Sequence, residues 1–432
     1  MISEKAKIEL NKLISIAKKF SSNNAISESL FYDVVYPLHI DEKQKLLFVE
    51  YLLESGVSLN SGEHDVEDSD ESADDSIKIE PYDTANIDIS PKPLTLDLII
   101  GRLENDEIDL LPDFQRKAGL WSNQQKSQLI ESLILRIPLP AFYFDGSNND
   151  KWIVIDGLQR LTALKEFFVE KSLTLSGMEF ISDLNGTKFD DMPRAYERRM
   201  FETQITAYII NPGAPVNLKY NIFKRINTGG LRLEPQEIRH ALFQGFATGY
   251  IKKIADRKEF KEATGYSVKT DRMLDREFVL RFIAFYEQNL TLYYGSIEVF
   301  LNNAMEILNR KYDPKKNIGY ADKIEEKFFS VLKLSSVLFD KFSFRKMPDF
   351  VKRRPISKAL FETWTSCLAR LDETQQTRLK KLKDELRSEY MRMFEDDEFV
   401  ESLSSAKVYS VKKRFEKIDE LIRRVLSNDR KD

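Results

Sequence analysis

The chain has 432 residues, 66 of them basic and 70 acidic, for a formal charge of -4, with one cysteine and three histidines. The single Cys367 permits no intramolecular disulfide, and His39, His64 and His240 stand apart with no ligand at the short spacing of a zinc site, so disulfide scaffolds, zinc ribbons and His-dependent metalloproteases are excluded. The length suggests two or three domains, and 42% apolar residues with 49 aromatics supply their cores. A reducing cytoplasm is the expected compartment.

The first twenty residues carry charges every few positions and no continuous apolar stretch, which reads as an amphipathic helix (Ile8, Leu13, Ile16, Phe20) and not as a secretory signal. The apolar runs around 129–144 and 328–339 are interrupted by charge or proline, so no membrane span is expected. Residues Glu63 to Asp75 hold eight carboxylates and no Lys or Arg. Such a self-repelling block is expected to be a disordered linker over 63–86; a DNA-mimicking segment is the sharper alternative.

From about Ile87 the texture changes to short strands alternating with helices. PLTLDLIIGRLEN reads as a helix and LLPDFQR as an extended segment. Ser122 and Gln125 form a capping-box pattern at the head of NQQKSQLIESLILR. AFYFD and KWIVID read as paired strands, LTALKEFFVEKS as a helix, TQITAYII as a strand, VNLKYNIFKRIN as a helix, and PQEIRHALFQG as a helix with Pro235 in its first turn.

Beyond residue 246 helical periodicity dominates. The predicted helices include DREFVLRFIAFYEQN, SIEVFLNNAMEILNRKY, KIEEKFFSVLKLSSVLFDKF, TQQTRLKKLKDELRSEYMRMF and VKKRFEKIDELIRRVL. This stretch contains 39 basic and 31 acidic residues, a local net of +8. Its bases cluster at Lys341, Arg345, Lys346, Lys352, Arg353 and Arg354, and again at Lys412, Lys413, Arg414, Lys417, Arg423 and Arg424. A nucleic-acid footprint and a solvated helix face are both open readings of these clusters. The expected organisation is an N-terminal helical segment over 1–62, the acidic linker over 63–86, a mixed domain over 87–245 and a helical domain over 246–432. The fold class is α+β followed by an all-α bundle.

Three places can carry chemistry. In Trp152-Ile-Val-Ile-Asp156-Gly157-Leu158-Gln159-Arg160, a strand ends in an Asp-Gly turn that opens a helix. The free N–H groups there, with Gly157 for close approach and Arg160 as a fork, suit a phosphate. Asp156 is left to orient Arg160, to hold Mg²⁺ or to position a water. An ordinary turn with an Asp156–Arg160 pair is the plainer alternative. In LPDFQRKAGLW, Gln115 and Arg116 lie on a proline-stiffened segment before Trp121, a hydrophobic-staple candidate. In FKRINTGG, Arg225, Asn227, Thr228 and Gly229 form either a helix C-cap or a polar loop able to wrap ribose or phosphate, and Glu237, Arg239 and His240 follow it.

In this order, LPDFQRKAGLW, IPLPAFYF, VIDGLQRLTAL and FKRINTGGLRLEPQEIR resemble the ParB/sulfiredoxin-like N-terminal domain of GmrSD-type modification-dependent restriction endonucleases and their SspE-like relatives, over about residues 87–245. The resemblance implies binding and hydrolysis of a nucleoside triphosphate with Mg²⁺. It implies Asp156, Gln159 and Arg160 as catalytic residues, with Asp156 toward the metal. Gln115, Arg116, Gly157, Arg225, Asn227, Thr228 and Gly229 become the nucleotide-binding set. The expected setting is defence against modified foreign DNA, with DNA and a separately encoded nuclease as partners. Phe114 replaces the family's usual tyrosine and Leu158 its usual glutamine. Many relatives add a His-Asn-His nuclease domain, whereas residues 241–432 here contain no histidine. Two other functions stay open: a non-catalytic DNA-binding or regulatory module, and a metal-dependent nuclease using Asp113, Asp156 and Glu237.

Overall fold

The structure is a computed structural model. It describes residues 7–8, 10–12, 14–15, 25–27, 42–60, 66–67, 89–110, 121–148, 150–211, 213–226, 233–270, 272–294, 296–312 and 319–428. Two compact units emerge, one formed by Lys78–Gln244 and the other by Met1–Ile77 together with Gly245–Asp432.

The first unit is built on a five-stranded mixed sheet. Its strands are β1 (Ile89–Thr95), β2 (Ile108–Asp109), β3 (Phe142–Asp145), β4 (Trp152–Asp156) and β5 (Gln204–Ile210), in the spatial order β1-β5-β3-β4-β2. The β1–β5 and β3–β4 pairs are antiparallel, and β5–β3 and β4–β2 are parallel. The helices are α1 (Leu96–Glu104), α2 (Asn123–Leu135), α3 (Leu158–Leu164), α4 (Arg194–Phe201), α5 (Val216–Ile226) and α6 (Pro235–Leu242). The expected AFYFD–KWIVID hairpin is present as β3 and β4, with a bulge between Tyr143 and Phe144.

Local signals explain these elements. Ser122 Oγ accepts from Gln125 N at 3.3 Å while Gln125 Oε1 accepts from Ser122 N at 2.9 Å, so the capping box forms as its spacing predicts. Strand alternation sends Phe142, Phe144, Trp152, Val154, Ile205, Ala207 and Ile209 into one core, where they meet the helix residues Ile130, Leu133, Leu161 and Leu164. Glu131, almost fully buried, is kept there by backbone N–H donors from Glu179, Phe180 and Ile181 at 3.0, 2.7 and 2.9 Å. Helix α3 runs on through Lys165–Val169 as a π-helical turn that carries Phe167 and Phe168 into the core.

The second unit is mainly helical. Leu274–Glu287, Ile297–Lys311, Tyr320–Phe339 and Val408–Asn428 fall where periodicity predicts them. The predicted continuous helix over TQQTRLKKLKDELRSEYMRMF is instead two helices, Glu373–Lys381 and Lys383–Arg392, which meet at Leu382 with φ -93° and ψ 18°. Inside the acidic block, Val66–Glu67 pairs in parallel with Ile356–Ser357, so those two residues belong to a strand pair and not to the expected linker. No helix among the described residues is long and apolar enough to cross a membrane.

Candidate functional site

Strand β4 delivers Asp156 to the start of the turn, and Gly157 leads the chain from there into α3. Gly157 has φ +103°, and a Cβ placed there would lie 2.5 Å from Phe142 Cδ1, so the position demands glycine on both conformational and steric grounds. The first helical bond runs from Leu161 N to Gly157 O at 2.8 Å, and no side chain caps the helix. The N–H groups of Leu158, Gln159 and Arg160 therefore precede the helix's own hydrogen-bond ladder.

Arg160 is buried, and its guanidinium is engaged on several sides. Nη1 donates to Pro140 O, while Nη2 donates to Ala141 O at 3.2 Å and to Asp156 Oδ2 at 2.9 Å. Its carbon Cζ sits 4.3 Å from the centre of the Phe142 ring. Burial pulls its pKa below the ordinary value against the opposing pull of Asp156, and the group stays cationic at neutral pH. The side chain of Asp156 is 39% exposed against 11% for Arg160, so the carboxylate is the solvent-facing member of the pair. Arg160 thus braces the turn against the Pro140–Phe142 segment, and Asp156 Oδ1 has no hydrogen-bond donor among the described residues.

Gln159 Oε1 accepts the Trp121 N–H at 3.2 Å. This bond ties the turn to the chain just ahead of α2. The other candidates divide. Arg225 is exposed in the last turn of α5, a helix packed against β4. Gln115, Arg116, Asn227, Thr228 and Gly229, with Asp113, lie outside the described residues. Glu237 is buried and caps α6 by accepting Glu234 N at 2.7 Å. Arg239 is also buried, donating to Gln236 Oε1 at 3.0 Å with its Cζ 5.7 Å from the centre of the Tyr220 ring.

Two features near the turn were not singled out from sequence. Tyr143 is the cross-strand partner of Asp156 and stacks on Tyr208 of β5, their centroids 4.8 Å apart and their planes at 11°. Burial, Tyr208 and Asp156 together raise the Tyr143 phenol above its ordinary pKa. At the opposite end of β3, the buried Lys219 of α5 contacts Asp145 Oδ1 at 3.2 Å and Oδ2 at 3.0 Å, and also the Ser147 hydroxyl. The signals were a lone Asp at the end of an apolar strand and single tyrosines within strands; neither pattern distinguishes a site from ordinary packing.

A Mg²⁺ carried by a nucleotide needs only one or two protein carboxylates, because phosphate oxygens and water complete its octahedron. Asp156 has the exposure and the free oxygen for that single contact. No group of three or more His, Cys, Asp or Glu residues able to hold a metal ion alone occurs among the described residues.

In the second unit the basic clusters are largely engaged. Arg345 is buried and donates to Arg354 O, Thr264 O and Ser267 Oγ, and Arg353 donates to Gly265 O and Ser267 Oγ. Lys413 pairs with Glu398, Lys417 with Asp396 and Glu398, and the buried Arg414 with Glu362.

The fold and turn define an α+β domain in which a mixed sheet presents an Asp-Gly turn at the mouth of a short helix. Residues 99–244 match the family described as GmrSD restriction endonuclease, N-terminal domain, and this segment of the chain is a domain of that family. The match links the chain to restriction of DNA. No curated protein and no solved structure matches the chain.

Proposed function

We propose that the Lys78–Gln244 unit binds a nucleoside triphosphate with Mg²⁺ and hydrolyses it, acting as a switch in defence against modified foreign DNA. The observation that carries this reading is the left-handed Gly157 between a half-exposed Asp156 and three N–H groups outside the helical ladder. Phosphate oxygens would meet those N–H groups, and Asp156 would hold the nucleotide's Mg²⁺ or align the attacking water. Positioning and charge neutralisation account for most of the barrier lowering in such reactions. Arg160 acts in this scheme as a positioning residue that fixes Asp156, because its donors already serve Pro140, Ala141 and Asp156.

Residues 241–432 contain no histidine, so a His-Asn-His centre does not lie in them. The basic clusters of the second unit are mostly paired with carboxylates or main-chain carbonyls, which favours the switch over a purely electrostatic DNA binder. The burial of Glu237 as a helix cap likewise weighs against a carboxylate nuclease that includes it.

The test is release of inorganic phosphate from each of the four NTPs, with and without Mg²⁺ and duplex DNA, by the full chain and by Asp156→Asn. Mg²⁺-dependent release that falls at least about 100-fold in Asp156→Asn is the expected result. Absence of turnover and of NTP binding in the wild type, or unchanged turnover in Asp156→Asn, overturns the reading.

A further inference from the structure

The stacked Tyr143–Tyr208 pair is the feature beside the turn that the proposed chemistry does not use. Both rings stand on the sheet face opposite the one that carries Phe142, Phe144, Ala207 and Ile209 into the core. Both are only partly buried, although Phe142, Phe144, Ala207 and Ile209, their immediate strand neighbours, are buried. Beyond Tyr208, its β1 register partner Pro91 is exposed. Neither phenol hydroxyl bonds to a described residue. A partly exposed aromatic pair thus lies on this sheet face and begins at the cross-strand partner of Asp156.

We propose that the Tyr143–Tyr208 pair receives the base of the bound nucleotide. This rests on the nucleotide reading above and names the part of the ligand that the turn does not hold. A ligand whose phosphates meet the Gly157 turn has its base within reach of the adjoining strand, and tyrosine supplies a rigid π surface there at small entropic cost. Every nucleobase has such a face, so the contact adds affinity with modest discrimination among the four bases.

The experiment compares binding of ATP, GTP, CTP and UTP with binding of inorganic tripolyphosphate, a base-free probe, by calorimetry on the full chain with Mg²⁺. Tyr143→Leu and Tyr208→Leu should each weaken NTP binding about tenfold while leaving tripolyphosphate within about twofold, and Tyr143→Phe should bind NTP like the wild type. A second readout uses 2-aminopurine ribonucleoside triphosphate, whose fluorescence should be quenched on binding the wild type and recover in the leucine variants. Circular dichroism checks the fold of each variant; the quenching measurement on wild type decides the matter if a leucine variant does not fold. Wild-type affinities for NTP and tripolyphosphate that are equal, parallel loss of both in the variants, or binding without quenching would each overturn base stacking alone. Failure of the wild type to bind either ligand would instead remove the nucleotide reading itself, and this inference with it.

Discussion

Arg160 Nη2 lies 2.9 Å from Asp156 Oδ2, one helical turn away, and the same guanidinium reaches the carbonyls of Pro140 and Ala141. The pair therefore joins the end of β4 to the start of β3 through a side chain that is itself buried. Its partner carboxylate is partly solvated, which discounts the ionic part of the interaction. The two carbonyl bonds and the Phe142 contact remain. Arg160→Ala should lower stability by about 2–3 kcal/mol, since it strips donors from buried acceptors. Arg160→Lys should recover part of this, because one ammonium cannot span the three acceptors. Urea denaturation measures both, and a wild-type midpoint for Arg160→Ala would show that the brace is dispensable.

Gly157→Ala tests the turn's steric demand. The substitution places a methyl 2.5 Å from Phe142 Cδ1 and forces a side chain into φ +103°. Strain and overlap together should cost about 2–4 kcal/mol. Phe142→Leu in the same chain should relieve the overlap but not the backbone strain, so the double variant should lose less than the sum of the single losses. Strict additivity in thermal or chemical denaturation would contradict a direct clash.

The Gln159–Trp121 bond separates two roles for Gln159. If its carbonyl chiefly anchors Trp121 N–H, Gln159→Glu should keep the acceptor and Gln159→Ala should lose it, at about 1 kcal/mol. Hydrogen exchange at the Trp121 amide should then accelerate in the alanine variant and stay slow in the glutamate variant. Equal protection in both would show that the Gln159 carbonyl is not what anchors the Trp121 amide.

Glu131 gives a pH-dependent expectation. Burial raises its pKa, and the three backbone donors at residues 179–181 lower it by more, so the folded value lies below the ordinary 4.5. A depressed carboxylate contributes stability that is present above the unfolded pKa and is lost as pH falls through the folded one. Glu131→Gln should therefore be less stable than the wild type at pH 7, by about 1–3 kcal/mol. The difference should shrink as pH drops below 4.5. Denaturation midpoints across pH 3–7 would show it, and a constant gap would argue that the carboxylate's charge is irrelevant.

Much of the first unit was legible because its signals are local. Ser122 with Gln125 announces a helix start, Pro235 another, and the alternation in WIVID and QITAYII marks strands with one core face. The Asp156–Gly157 turn was legible for the same reason. Less visible was the use of each side chain within it: Arg160 reads as a phosphate fork, and only the fold brings Pro140 and Ala141 carbonyls to its donors. Tyr143 was hidden because its partner Asp156 is thirteen positions away and their pairing depends on hairpin register and a bulge. In the second unit, Lys358–Ala369 gave no amphipathic period, since every residue from Ala359 to Ala369 is buried. A helix enclosed on all sides has no polar face to mark its phase.

That enclosed helix carries the last expectation. Glu362 is fully buried, with Arg281 Nη1 at 2.6 Å from one carboxylate oxygen and Arg414 Nη2 bonded to the other. Arg281 also pairs with Glu277 at 2.9 Å, and Arg414 Nη1 donates to Ser402 O and Ser405 O. Two cations thus share one buried anion, joining the helices Leu274–Glu287, Lys358–Ala369 and Val408–Asn428. Glu362→Gln keeps the shape and removes the charge that both arginines need, so it should cost about 3–5 kcal/mol, the scale for breaking a buried pair from one side. Glu362→Leu combined with Arg281→Met and Arg414→Met replaces the Glu362 triad by apolar groups while Glu277 keeps Lys358 Nζ at 3.4 Å, so it should lose less than the single change, because each buried charge that remains still has a counterpart. Thermal unfolding of the full chain compares the two; a triple variant markedly less stable than Glu362→Gln would show that the network contributes net stability beyond satisfying its own burial.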